Sequence, residues 1–225
     1  MLEVADISRG TAHRLPSPRT RAATVRSQVR VPLDLGNGPQ LDAQVMTFDG
    51  LADGKEHLAL ELGVRPADGV PLVRLHSECL TGDVFGSARC DCGPQLHEAL
   101  RKIEQVGGIL LYLRQEGRGI GLYNKLDAYR LQDDGLDTYE ANRALGLGDD
   151  LRDYTAAAQM LRTLGVTEVD LLSNNPDKAG QLTRHGIAVR TTVRTGVFAN
   201  PHNLSYLTAK ADKTLHTISL KEKIA

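Results

Sequence analysis

The stretch "CGPQLHEALRKIEQVGGILLYLR", Cys92 to Arg114, changes its period halfway along. The first part spaces Leu96, Leu100, Ile103 and Val106 along one face of a helix that begins at Pro94 and stops at Gly107 and Gly108. The second part, "ILLYLR", reads as a strand. Upstream, from Val31 to Leu75, the pattern is strands and turns: "AQVMTF", the turn "GLADGKE", "HLALEL", a loop through Gly69, and "VPLVRL". Downstream it alternates. Helices are expected around Leu122 to Leu131, Thr138 to Leu145, Thr155 to Leu164 and Pro176 to His185, with a last one near Leu204 to Lys213; the strands are "VDLLS" and "AVRTTV". This alternation predicts an α/β fold, a layered mixed sheet flanked by helices with a β-rich N-terminal half.

The first thirty residues carry Arg9, Arg14, Arg19, Arg21, Arg26 and Arg30 with little apolar periodicity. Residues 1–26 therefore read as a flexible basic arm and 27–225 as a single domain, since no repeat or low-complexity linker divides them. Across the 225 residues, 27 Lys plus Arg nearly cancel 28 Asp plus Glu, so no broad field argues for nucleic acid or an anionic membrane as partner. Any anion site must be local. The apolar runs are short and interrupted by charge, and the N-terminus lacks a signal-peptide core, which points to a soluble cytoplasmic protein.

All three cysteines, Cys79, Cys90 and Cys92, fall within one short segment, unlike the spaced, even-numbered framework of a disulfide scaffold. Their spacing, C-x10-C-x-C, offers three thiolates where zinc wants four donors in a tetrahedron. His76, His97 or Asp91 would close the site as a structural one; water in the fourth position would make it catalytic. Glu78 and Asp91 flank ligands and are candidate proton carriers, or plain loop carboxylates.

Three further segments suit a nucleotide. In "LRQEGRGIGL" a strand runs into Gly117, Gly119 and Gly121 around Arg118, which lets backbone N–H groups approach an anion, although the same letters describe an ordinary turn. In "LLSNNPDKAG" Asn175 is placed as an N-cap and Pro176 at the first helical position, while Lys178 opposes the helix dipole, a mismatch that either a bound phosphate or a plain solvated surface lysine explains. In "DTYEANRALGLGDDLRDY" Asp137 and Glu140 form a capping box, and Asp150 and Arg152 could serve as base and phosphate ligand or merely dress a turn.

Taken in order, "RLHSECLTGD", "ARCDCG", "LRQEGRGIGL", "DTYEAN", "LRDY" and "SNNPDK" resemble the GTP cyclohydrolase II family, whose members open GTP at the start of riboflavin synthesis; the resemblance spans roughly Val31 to Lys213. It implies that Cys79, Cys90 and Cys92 bind one catalytic zinc with water completing the site. It implies GTP contacts at Arg74, Leu75, His76, Ser77, Glu78, Gln95, Glu116, Gly117, Arg118, Thr138, Ser173 and Lys178. Ser173 stands where the family pattern has threonine and keeps the hydroxyl. Gln95 and Glu116 carry groups able to read guanine edges.

The resemblance also makes Asp150 a proton acceptor and Arg152 a nucleophile toward the α-phosphorus. That role is demanding for a guanidinium, and a simpler reading makes Arg152 a stabiliser of phosphate charge beside Mg(II). Tyr129 in "NKLDAYRL" matches a tyrosine beside the zinc, and its presence favours the complete reaction: hydration at C8, ring opening, and loss of formate and diphosphate. A homodimer is expected by family. The alternatives are a paralogue that stops at the N-formyl intermediate or serves secondary metabolism, and a non-catalytic zinc-stabilised nucleotide binder.

Overall fold

A computed structural model describes residues 22–36, 38–148, 150–204 and 207–208. Seven strands form one sheet: β1 (Thr24–Leu33), β2 (Leu41–Asp49), β3 (Leu58–Leu62), β4 (Leu72–Ser77), β5 (Gly108–Leu113), β6 (Glu168–Leu172) and β7 (Ala188–Val193). Their spatial order is β1-β2-β3-β5-β4-β6-β7. The β1 to β5 side is antiparallel, and β5, β4, β6 and β7 run parallel, which gives the mixed sheet that the alternation predicts.

Six α-helices with both ends among the described residues accompany the sheet: α1 (Leu80–Asp83), α2 (Cys92–Val106), α3 (Leu122–Asp133), α4 (Thr138–Ala144), α5 (Thr155–Thr163) and α6 (Pro176–Arg184). Side chains alternate across the sheet and so build two cores. Val73, Leu75, Ile109, Leu111, Leu113, Val169 and Leu171 pack with Ala157, Ala158, Met160 and Leu161 of α5 and Leu182 of α6. Leu72, Leu110 and Leu172 pack on the other face with Ala99, Leu100 and Ile103 of α2. Each fully buried Leu or Ile here contributes about 1.5–3 kcal/mol.

Three sequence expectations shift. Helix α2 starts at Cys92, two residues before Pro94, because proline in a first turn gives up an N–H that has no helical partner there. Val106 is exposed, and the inward stripe is Leu96, Ala99, Leu100 and Ile103. Strand β1 begins at Thr24, so Thr24, Val25 and Arg26, read as part of the basic arm, belong to the sheet: Thr24 and Val25 pair with Asp49 and Phe48 of β2, and Arg26 sits at a break in the register before Ser27. Residues 1–21, and most of the helix expected near Leu204 to Lys213, lie outside the described residues. The paired glycines after α2 are required by contact: a Cβ on Gly107 would stand 1.8 Å from the Val64 carbonyl oxygen, and one on Gly108 2.0 Å from that of Leu72.

Among the described residues no helix is long and apolar enough to cross a membrane.

Candidate active site

Parallel strands leave their carboxyl ends on one edge, and ligands of α/β sheets bind beyond that edge. Here the ends of β4, β5, β6 and β7 deliver Ser77–Cys79, Glu116–Arg118, Ser173–Asn175 with Lys178, and Thr195 into one cleft enclosing about 1140 Å³ including its open mouth. Alternation along β4 sorts its residues. Leu75 turns into the α5 and α6 core, while Arg74 and His76 point to the α2 side and line the cleft. Both are buried. Arg74 donates to the Leu172 carbonyl (3.1 Å) and to Gln95 Oε1 (2.9 Å), and Gln95 donates to Asp91 (2.7 Å). Burial holds the His76 imidazole below its usual pKa against the opposing pull of Asp83, so the ring is neutral. Its Nε2 lies 3.1 Å from the Asp83 carboxylate, which also accepts from the Tyr112 hydroxyl (2.8 Å) and the Cys79 amide (3.0 Å).

Helix α1 and the start of α2 bring Cys79, Cys90 and Cys92 together, with all three sulfurs within 4.8 Å of one another. Cys79 and Cys90 Sγ are 3.7 Å apart. Zinc with Zn–S distances of about 2.3 Å in a tetrahedron needs sulfurs roughly 3.8 Å apart, so the spacing fits. The thiols also fit electrically. Hydrogen bonds from Cys90 and Cys92, with Lys125 adding its charge, hold Cys79 well below the usual thiol range. Its hydrogen bond to Cys79 pushes Cys90 up to about 11, and Cys92 is raised likewise. Without a cation one thiolate is stable among the three; a divalent ion would let all three ionise.

None of the three possible fourth ligands joins the sulfurs. His76 faces Asp83, Asp91 accepts from Gln95, and His97 lies outside the cluster; among the described residues the donor set is three cysteines.

The glycine segment Glu116–Gly119 is a tight turn kinked by left-handed residues, with Gly117, Gly119 and Gly121 all at positive φ. Arg118 shares that conformation (φ 61), the one non-glycine among the described residues to do so, at a cost of about 1–2 kcal/mol. Two loop amides are directed inward: Gly117 N donates to the Glu116 carboxylate (2.9 Å) and Gly121 N to the Glu116 carbonyl (3.0 Å). Arg118 itself lines the cleft, with its guanidinium 5.0 Å from the Tyr139 ring centroid. Glu116 is clamped further by Leu80 N (2.7 Å) and Lys125 Nζ (2.9 Å).

On α3 the positions Lys125, Ala128, Tyr129 and Gln132, spaced i, i+3, i+4, i+7, all face the cleft. Tyr129 lies beneath the Arg89 guanidinium, 4.5 Å from its ring centroid. Burial and the thiols outweigh Lys125 and push its phenol up to about 12, so it holds its proton at neutral pH.

At the other end, Asn175 Oδ1 caps α6 by accepting from Asp177 N (3.0 Å), with Pro176 at the first position, and the Asp137–Glu140 capping box opens α4 at Thr138. Thr138 lines the cleft, as does Ser173, whose Oγ accepts from Asn175 N (3.0 Å). Lys178 is buried in the first turn of α6 and donates to the Leu75 carbonyl (2.6 Å). Arg152 reaches the cleft; Asp150 does not line it but accepts from Arg152 Nε (2.8 Å) and backbone N (3.1 Å). Burial works against the Asp150 charge, yet Arg152 outweighs it and holds the carboxyl below its usual range. Leu151 N donates to the Arg118 carbonyl (3.0 Å), which ties this segment to the glycine turn.

Of the residues to which the family resemblance assigns metal, GTP or catalysis, Leu75 and Asp150 are the two that do not line the cleft; Asp91, His97, Gly119, Gly121, Asp137, Glu140 and Pro176, singled out on their own chemistry, do not line it either. Lys125, Asp83 and Asn174 were not singled out. Stepping back four residues from Tyr129 on its helix would have found Lys125.

A family model described as GTP cyclohydrolase II matches residues 26–194. A GTP cyclohydrolase-2 of Vibrio cholerae is 52% identical over 194 residues, 86% of this chain and 98% of that protein. One from Psychromonas ingrahamii is 50% identical over 192 residues, 85% of this chain and 96% of its own length. The riboflavin biosynthesis protein RibBA of Cytophaga hutchinsonii is 46% identical over 204 residues, which is 90% of this chain and 50% of that one. A match over most of the chain, joined to a cleft in which three thiols and a row of cations meet, leaves one conclusion: this chain belongs to the GTP cyclohydrolase II family of enzymes.

Proposed function

We propose that the protein hydrolyses GTP, opening the imidazole ring at C8 and releasing formate and diphosphate as the first step of riboflavin synthesis. The observation that carries this reading is the cluster of three sulfurs without a fourth protein donor among the described residues, in the same cleft as Arg118, Arg152 and Lys178. Cys79, Cys90 and Cys92 would hold zinc, which when bound supplies a Lewis acid able to activate water.

The chain's own groups do the rest. Arg118, Arg152, Lys178 and the Ser173 loop would receive the triphosphate, and a magnesium ion bound with it would supply further neutralisation of its charge. Asp150 accepts from the Arg152 guanidinium at both Nε (2.8 Å) and Nη2 (2.5 Å), and a guanidinium engaged as a donor in this way is a poor start for a nucleophile. Arg152 is therefore assigned the stabilisation of charge on the transferring phosphate. His76, neutral and oriented by Asp83, and the Gln95 amide, oriented by Arg74 and Asp91, form the polar wall facing the base. Tyr129 keeps its proton and so suits donation to the departing formamide nitrogen.

Three free thiols this close call for a reducing compartment, in keeping with a cytoplasmic enzyme. Strand β1 ends the sheet and exposes Val25 and Val29, a surface that a second copy would cover in the expected homodimer.

The test is Tyr129→Phe. Formate release should fall by about 10²–10⁴-fold, the usual worth of general acid–base catalysis, while GTP binding is retained. Formate released at the parental rate would remove Tyr129 from the mechanism.

A further inference from the structure

Lys125 is a buried ammonium whose bonds are all accounted for: Cys79 Sγ at 3.1 Å, Thr81 Oγ1 at 3.0 Å and Glu116 Oε1 at 2.9 Å. An ammonium has three donors, and these three acceptors use them. The arrangement joins α3, the glycine turn and α1 at one point, and Glu116 is itself fixed by Leu80 N and Gly117 N. The pairing alone would make Lys125 a structural clamp. The sulfur contact says more. Three thiolates donate so much charge that they weaken the Lewis acidity of any metal they hold, and a cationic N–H bond to one sulfur draws some of that charge back.

We propose that Lys125 is a positioning residue for the reaction: through its N–H···S bond to Cys79 it tunes the three-thiolate site so that a bound metal ion activates water more strongly. The inference rests on the reading that Cys79, Cys90 and Cys92 bind the catalytic metal. Aim and charge both matter. Glu116 holds the ammonium against Cys79, and Lys125 shares the cleft-facing side of α3 with Tyr129, whose ring centroid is 5.6 Å from Nζ.

The test uses the full chain loaded with cobalt(II), whose thiolate-to-metal charge-transfer absorption reports the electron density on sulfur. Lys125→Met should move that band to longer wavelength and lower kcat by about 10–100-fold with KM little changed, the range seen when outer-shell partners of a metal site are removed. Lys125→Arg, which keeps a cationic donor, should return the band toward its parental position. Removing Lys125 leaves Glu116 buried without its cation, so Lys125→Met is paired with Glu116→Gln to preserve folding; the band of this double variant should shift as in Lys125→Met, and that of Glu116→Gln alone, whose amide oxygen still accepts from Lys125, should shift less. A band unmoved in every variant would overturn the proposal and leave the metal reading intact. A parental protein with no thiolate charge-transfer band would overturn the metal reading and the proposal with it.

Discussion

Gly82→Ala should, on the proposed zinc reading of the three cysteines, strip the protein of metal and of turnover while leaving its fold in place. Gly82 lies in α1 at an ordinary φ, so its backbone accepts alanine. The obstacle is the sulfur cradle: a Cβ there would stand 2.7 Å from Cys90 Sγ, 3.1 Å from Cys79 Sγ and 3.1 Å from Cys92 Cβ. Ordinary carbon–sulfur contacts are longer, so the sulfurs must spread. Cys90 is the nearest and has to move most.

A tetrahedral site tolerates little change in donor spacing, and a loss of at least about 10–100-fold in metal affinity is expected, with activity following metal content. Overpacking of this kind costs about 1–3 kcal/mol of stability, too little to unfold a domain with two intact cores. Metal analysis after dialysis, set beside a thermal melt of the metal-free protein, checks both halves. A variant that retains one zinc per chain and parental turnover would show that the three thiols are not the working site.

Lys178→Met is expected to separate activity from stability in opposite directions. The ammonium sits in the first turn of α6, where the helix dipole disfavours a cation, and it is buried with the Leu75 carbonyl as its hydrogen-bond acceptor (2.6 Å) and the Tyr154 ring 5.7 Å away. Methionine fills similar space without the charge. It gives up the bond to the Leu75 carbonyl, about 1 kcal/mol net, and takes a desolvated charge away from a helix N-terminus, so the melting temperature should stay level or rise. If Lys178 receives a phosphate, truncating one partner of a buried charge pair removes about 2–5 kcal/mol of binding, and kcat/KM for GTP should fall by about 10²–10³-fold. A protein that loses stability yet keeps kcat/KM would mark Lys178 as structural.

The parts of the fold legible in the sequence were those whose burial imposes a period. Helix α2 and strand β5 were found because Leu100 and Ile103 repeat at helical spacing and the two glycines then break the pattern where the Val64 and Leu72 backbones crowd in. Strand β1 was missed for the converse reason. Nearly all its residues are exposed, so nothing in its pattern distinguishes an edge strand from a basic tail, and only pairing with β2 orders it.

The site divides in the same way. Residues in dense motifs, such as the cysteines, Arg74 to Glu78, and Asn175 with Lys178, declare themselves by chemistry that makes little sense on a bland loop. Leu75 shares such a motif, yet strand alternation sends its side chain into the core and leaves its carbonyl to Lys178. Lys125 was hidden because the cleft-facing stripe of α3 is polar, while Tyr123 and Leu126 on that helix are exposed, which inverts the usual apolar cue. Asp83 was hidden because a carboxylate shared by His76, Tyr112 and Cys79 N is assembled from three separate elements.

The central claim is the complete reaction at the three-cysteine site, and mass spectrometry of the products formed from GTP by zinc- and magnesium-replete protein tests it most directly. The account predicts formate and diphosphate in equal amounts together with the ring-opened diaminopyrimidine. Diphosphate without formate, or GTP returned unchanged, would contradict it.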